Sequence, residues 1–422
     1  MADFPSPVLP DEVSRRLAEF RRTQDPATLW PGLDEPRRVA AARAIESVAR
    51  RVLAGERAVP LDPREEHRAY ALGVAGHTTG MGPILGQWIE QGVVTAAEGP
   101  AAFFAEHLIN GRSRAARIER EVLPAIDAFL ARDVTPIILK GFHTARAYFD
   151  EPGARPMADV DLLVGASEVA TAEQVLQSTG FRADSEALRP YKRDWLGPGV
   201  EDRVYSVERS DPRTKWTLEL HASLDRIYHP GVVAHLDSER ARTQRFDVAG
   251  RPLLVLAPAL LVVYLAAHSS QELDSMRLIR IYELATVIRA ERASGRLDWT
   301  DVIATLERTG AARFTYPALT LVEDLAPQTV DARVLAMARD ASTAAARHTV
   351  PRLAPAGGSA DERAVLRQMM WTRGVVGVLQ RFLRLFWPAA FDRPGDVPRG
   401  WAVRLRRIRR GILSFRAPDE RS

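Results

Sequence analysis

Cysteine does not occur anywhere in this 422-residue sequence. Disulfides, thiolate zinc sites and cysteine nucleophiles are therefore excluded, and the compartment has to be argued on other grounds. Lysine is almost missing too. Of 58 basic residues only Lys140, Lys192 and Lys215 are lysine, and the other 55 are arginine. Such a skew looks like a GC-rich coding background that uses arginine wherever either cation will serve. The two differ where a compact point charge is wanted in place of a planar fork. All three lysines fall between 140 and 215, which marks that window. A strong net charge is also lacking: +4 over the whole chain does not call for a nucleic-acid partner. The opening Met1-Ala2-Asp3-Phe4-Pro5 has no charged n-region followed by an apolar stretch, so a secretory signal is not expected and a cytoplasmic protein is.

What is present is ordinary globular composition, 46% hydrophobic and 27% charged, with length for about two to three domains. Residues 1–130 read as a helical region, with apolar positions at helical spacing over 37–50 and 115–130. Gly80, Gly82 and Pro83 interrupt that pattern as a loop. From Val134 the character changes. The β-branched run 134–140 predicts a strand stopped at Gly141, followed by a short helix over 143–149. A second strand is expected over 158–164, then a helix capped by Ser167 and closed by Gly180. Further strands are expected over 203–208 and 215–221. Alternating strands and helices make 131–250 an α/β (α+β) domain with a small mixed sheet.

The remainder, 251–422, reads as a C-terminal helical region. Residues 252–271 carry no charge, which raises a membrane span as one reading. Pro258 argues instead for a strand over 253–256 and a buried helix with the proline in its first turn. Helices are expected over 277–289, 299–309, 313–325 and 362–387.

The chemistry centres on Asp159-Val160-Asp161. In a strand, side chains at i and i+2 share a face and stand roughly 7 Å apart. Two carboxylates so placed can hold a hard cation such as Mg²⁺, which favours one or two carboxylates plus phosphates and water. Alone, the pair is a weak signal and reads more readily as a solvated strand end. Before it, Lys140-Gly141 ends the preceding strand, where glycine admits close backbone approach to a phosphate. After it, Lys215-Trp216-Thr217-Leu218-Glu219-Leu220-His221 alternates an apolar face with a Lys/Thr/Glu/His face, as an active-site wall or an exposed edge would.

Taken together, Ile138-Leu-Lys-Gly141, Arg155-Pro-Met-Ala-Asp-Val-Asp-Leu-Leu-Val164 and Leu218-Glu-Leu-His221 resemble the bacterial "uncharacterised nucleotidyltransferase" family of the DNA polymerase β-like nucleotidyltransferase superfamily. Leu256-Ala-Pro258 and the helix reaching His268 are similar to the family's next block, as is Phe386-Trp-Pro with Asp392 and the arginine-rich tail. The resemblance spans roughly 100–415 and is specific at 138–164 and 218–221. It implies that Asp159 and Asp161 ligate Mg²⁺ in a two-metal site. Glu219 would be the third carboxylate, completing the second metal site or activating the acceptor hydroxyl. Lys140, Gly141, His143 and Arg155 would contact the nucleotide, and an NTP would be the donor to an acceptor that is a small molecule, a peptide or a protein. Two departures stand out. Phe142 follows Gly141 where the superfamily has Gly or Ser, and the interval from Gly141 to Asp159 is long. A non-catalytic binding or scaffold module, with Phe142 blocking the triphosphate, is the alternative.

Three weaker signals remain. His268 reads either as a base or hydroxyl partner in the cleft or as a core histidine, and Glu201 and Asp202 read as a solvated turn. Trp401, Leu405, Ile408, Ile412 and Phe415 form a helical stripe among arginines. Packing of that tail on its own domain is expected, with peripheral membrane contact through 399–416 as the alternative.

Overall fold

The computed structural model describes residues 9–23, 25–61, 68–184, 192–229, 232–271, 277–353 and 371. The helix expected over 362–387, except Trp371, and the stripe over 401–415 lie outside them, as do Phe386 and Asp392. The chain opens with helices α1 (Pro10–Thr23) and α2 (Glu35–Leu53), strand β1 (Val59–Leu61), helices α3 (Arg68–Thr79) and α4 (Gly82–Glu90), strand β2 (Val94–Ala96) and the long helix α5 (Glu98–Leu130). Asp34 caps α2 by accepting the Arg37 N–H at 2.8 Å, with Pro36 in the first turn. The glycines between α3 and α4 form a tight helix–helix turn: Gly80 has φ +74°, and Gly82-Pro83 already opens α4. Helix α4 lies very close to α5. A Cβ on Gly86 would stand 2.3 Å from the Phe104 carbonyl oxygen, a backbone atom that cannot swing aside.

The central sheet combines β3 (Ile137–Ile138), β4 (Asp159–Leu163), β5 (Arg182–Ala183), β6 (Lys192–Leu196), β7 (Thr217–His221), β10 (Thr243–Val248) and β11 (Arg251–Leu256), while β8 (Arg226–His229) and β9 (Val232–Ala234) form a separate hairpin. Its order is β10-β11-β3-β4-β7-β6-β5. Strands β11 and β3 are parallel, as are β4 and β7; the other pairs are antiparallel. The mixed α+β character expected from the sequence is present, and the sheet runs past residue 250 through the β10–β11 hairpin. Helices α6 (Phe142–Ala147) and α7 (Val169–Ser178) fall between the early strands.

Several expected elements differ in detail, each for a local reason. Pro136 has no N–H to give, and the strand expected over 134–140 shortens to Ile137–Ile138. Helix α7 is not capped by Ser167. The Glu168 carboxylate accepts the Gly165 N–H at 2.5 Å, and a short 3₁₀ turn precedes the helix. Gly180, at φ +88°, does follow its end. Residues 203–208 are not a strand, because the Ser206 hydroxyl accepts the N–H groups of Glu208 and Arg209 and turns the backbone. Strand β6 was not anticipated: Lys192-Arg-Asp-Trp-Leu196 is charged through three positions, yet it completes the edge of β7.

Beyond the sheet come α8 (Pro258–Gln271), α9 (Leu278–Ala293), α10 (Trp299–Thr309), α11 (Ala312–Leu325), α12 (Ala332–Ala341) and α13 (Ala344–Thr349). Pro258 opens α8, and Ala259 through Ser270 are all buried. The uncharged stretch is thus a core helix, and among the described residues no helix is long and apolar enough to cross a membrane. Two apolar clusters result. Val160, Leu162, Trp195, Leu218 and Leu220 pack with Ile118, Val122 and Phe129 of α5 and with α7. Leu139, Leu163 and Leu256 join the larger cluster of α8, α9 and α11 with the N-terminal helices. The sheet therefore buries its back on α5 and α7, and its front turns toward α8.

The closeness of α4 and α5 has a direct consequence. Gly86→Ala should lower unfolding free energy by about 1–3 kcal/mol, because the added methyl forces a backbone shift in a packed core. Urea denaturation checks this; parent-like stability would show that the two helices are not in such contact.

Candidate active site

Alternation in three adjacent strands builds the site. On β4, Val160 and Leu162 point to the core behind, which sends Asp159 and Asp161 to the front. The parallel register sets Asp161 beside Glu219 and Asp159 beside Thr217. On the other side of β7, Asp194 pairs with Glu219 and Lys192 with His221. Four carboxylates, from Asp159, Asp161, Asp194 and Glu219, thus share one face of the sheet.

Two lysines answer them. Lys140 reaches in from the end of β3, its ammonium 2.7 Å from Asp161 Oδ2 and 3.1 Å from Asp159 Oδ2. Lys192 pairs with Glu219 and lies 3.3 Å from Asp194 Oδ1. The His221 Nε2 is 3.1 Å from Asp161 Oδ1 and 3.4 Å from Glu219 Oε2. Lys215, the third lysine, instead pairs with Asp202 in the solvated turn.

Burial and charge compete at every group here. Burial works to discharge Lys140, but Asp159, Asp161 and Glu219 outweigh it and raise its pKa. Burial likewise raises Asp159 and Glu219, yet Lys140 on the first, and His221 with both lysines on the second, bring each net below the ordinary carboxylate range. Asp161 goes the other way. Its carboxyl is held up by burial and by the Asp159 and Glu219 charges, which Lys140 and His221 do not fully offset. His221 is raised: burial opposes its protonation, and the two carboxylates it touches prevail. More negative charge is gathered here than the ammoniums neutralise, which is the electrostatic condition of a cation site.

Donor atoms from Asp161, Glu219 and His221 all lie within 4.8 Å of one another, close enough to hold a metal ion. The expected trio had Asp159 in place of His221. Asp159 is on the same face but nearer the mouth, its side chain 30% exposed against 1% for Asp161. The signal for His221 was present in the alternation that put it on the face of Glu219. The cleft above these groups holds about 270 Å³ and is lined by Lys140, Asp159, Lys192, Glu219 and His221, by the segment Asp225-Arg226-Ile227 and by His268 and Gln271 of α8.

The remaining expected residues divide. Gly141 turns the chain at φ +53°, a conformation that suits glycine, directly after Lys140. Phe142 drives its ring into the core behind the sheet, fully buried, and does not line the cleft. His143 is not brought to the cleft: it is buried between Tyr148 and Phe246, at ring distances of 5.6 and 4.8 Å. Nor does Arg155 line it. Its guanidinium makes a two-pronged bond to Glu283 of α9, both contacts 2.9 Å, and the Thr144 hydroxyl donates to the same carboxylate. Glu283, a buried acid inside a helix, escaped the sequence reading and ties the Gly141 turn and the Arg155 loop to α9.

A cleft at the front of a mixed sheet thus carries carboxylates from neighbouring strands, a lysine between them and a glycine turn beside it, an arrangement able to hold a cation. Residues 83–327 match the family described as "uncharacterised nucleotidyltransferase", and the chain belongs to it. No curated protein and no solved structure matches.

Two predictions follow from these environments. Lys140→Met removes the ammonium that Asp159 and Asp161 share and should cost about 3–5 kcal/mol of stability at pH 7, read by chemical denaturation; no loss would mean that the ammonium is not their counter-charge. His107 and His143 are both held by burial at about 4, below the ordinary histidine value. Each therefore supports folding fully above about pH 6.5 and loses that support as pH falls toward 4, roughly 2 kcal/mol apiece by pH 5. Urea midpoints at pH 7 and pH 5 test the sign, and a midpoint that rises on acidification contradicts it.

Proposed function

We propose that this protein is a Mg²⁺-dependent nucleotidyltransferase that moves a nucleotidyl group from an NTP to a hydroxyl or similar group on a small molecule, peptide or protein. The observation that carries this reading is the convergence of Asp159, Asp161 and Glu219 on one face, with Lys140 between the first two. The donor set fits a hard cation: carboxylate oxygens with surplus negative charge are the ligands Mg²⁺ selects. Asp159, Asp161 and Glu219 would hold it, and it would supply charge neutralisation at the phosphate oxygens. His221, with Nε2 facing both Asp161 and Glu219, orients these carboxylates.

The chain's own groups have distinct tasks under this reading. Lys140 offers a point charge that can pass from carboxylate to phosphate. As the acceptor oxygen bonds to the α-phosphorus, pyrophosphate leaves and the acceptor proton passes to a carboxylate. Glu219, which lines the cleft where Asp161 does not, is placed to take that proton. The burial of Phe142 argues against the scaffold alternative, since its ring does not occupy the cleft.

The test is binding and turnover in three proteins. The parent should bind Mg·NTP and form a nucleotidylated product in a cell extract supplied with labelled NTP. Asp161→Asn should retain its fold and lose Mg²⁺-dependent NTP binding. Glu219→Gln should reduce turnover by orders of magnitude. A parent that binds no NTP with Mg²⁺ present would end the proposal, and an unchanged rate in Glu219→Gln would remove that residue from it.

A further inference from the structure

Arg226, on β8, lines the cleft next to Asp225 and Ile227, together with His268 and Gln271 from the last turns of α8. Its guanidinium lies over the Tyr264 ring, 5.5 Å from the centroid, and donates from Nη2 to His268 Nδ1. The Tyr264 and His268 rings, one turn apart on α8, stack at 6.3 Å with 6° between their planes. Burial first, and the Arg226 charge second, keep His268 well below the usual histidine range, so it accepts this bond as a neutral ring. The segment is fixed on both sides of the bracket. Tyr228 donates its hydroxyl to the Ala267 carbonyl, and Gln271 donates to the Ile227 carbonyl, each at 2.6 Å.

We infer that Arg226 receives the polyphosphate of the nucleotide donor, with Tyr264 and His268 as positioning residues that hold its guanidinium at the cleft wall. This rests on the nucleotidyltransferase reading. Among the described residues that line the cleft the cations are the point charges of Lys140 and Lys192 and the planar fork of Arg226. His143 and Arg155, the other expected phosphate contacts, are buried elsewhere. Ile227 is the single apolar side chain among those lining residues and none is Phe, Tyr or Trp, so this volume suits phosphate better than a base. A planar fork held in one orientation is the geometry that grips phosphate oxygens in pairs.

The experiment is calorimetric titration of the full chain with Mg²⁺ and each of three probes: an NTP, inorganic tripolyphosphate and the matching nucleoside monophosphate. Arg226→Gln should weaken NTP and tripolyphosphate about 10- to 100-fold and change the monophosphate less than about twofold. Arg226→Lys, which keeps the charge and loses the fork, should fall between. Tyr264→Leu should weaken the two polyphosphates in the same direction and to a smaller extent. Equal losses for all three probes in Arg226→Gln, or none for tripolyphosphate, would overturn the inference while leaving the nucleotidyltransferase reading intact. If Arg226→Gln does not fold, Arg226→Lys decides alone: unchanged polyphosphate affinity overturns the inference. A parent that binds none of the probes would overturn both.

Discussion

A buried ammonium between the buried Asp161 and the half-buried Asp159 is the constraint around which this molecule is arranged. Taking Lys140 and Asp161 out of water costs several kcal/mol per charge, and only close pairing with additional hydrogen bonds repays it. The surroundings show how that pairing is secured. Lys140 ends β3 next to the strand that carries both aspartates; Gly141 turns the chain at once; Phe142 is anchored in the core; and Thr144 is tied to Glu283. Arg155 reaches the same glutamate from the following loop, so a single acid on α9 steadies both approaches to the site. In a chain that uses arginine nearly everywhere, a lysine here makes physical sense. A compact ammonium fits between two carboxylates and leaves more readily than a bidentate fork.

The two apolar clusters explain why the polar groups can gather where they do. The back of the sheet is sealed against α5 and α7 by Val160, Leu162, Trp195, Leu218 and Leu220. The front is sealed only toward α8 and α9, through residues such as Leu139, Leu163 and Leu256. Between these seals β4, β7 and β6 present acids and lysines to a gap that α8 roofs without closing. Helix α8 is apolar through most of its length and turns polar at its end, where His268 and Gln271 face the cleft.

Much of this was legible in the sequence because alternation on a strand is a strict rule. Asp159 and Asp161 had to share a face opposite Val160, and Glu219 had to oppose Leu218 and Leu220; the structure has both. The helix from Pro258 was legible from its proline and its uncharged run. What escaped was set by tertiary partners. Lys192 and Asp194 lie in a segment too charged to read as a strand, and it becomes one by pairing with β7. His143 follows the glycine turn, as a phosphate contact would, but a helix turns its side chains through about 100° per residue, and this one faces the core. Arg155 sits in the motif, yet its partner is Glu283, far along the chain, and no local pattern announces that bond. Arg226 and Tyr264 belong to separate elements whose meeting follows from the docking of β8 on α8.

The parallel pairing of β4 and β7 also bears on how the protein reaches its native state. Asp161 and Glu219 are neighbours in register although α7, β5 and β6 intervene between them in sequence. Contacts of such long range form late, because the intervening loop must lose its freedom before the pairing rewards it. The N-terminal helices and the α8–α11 group, rich in contacts between sequence neighbours, can organise sooner. Mutually repelling carboxylates are thus brought together only when the ammonium of Lys140, on the adjoining strand, is there to meet them. The acidic cluster thus depends on the pairing of β4 with β7, and a chain without that pairing carries neither the cleft nor its electrostatic burden.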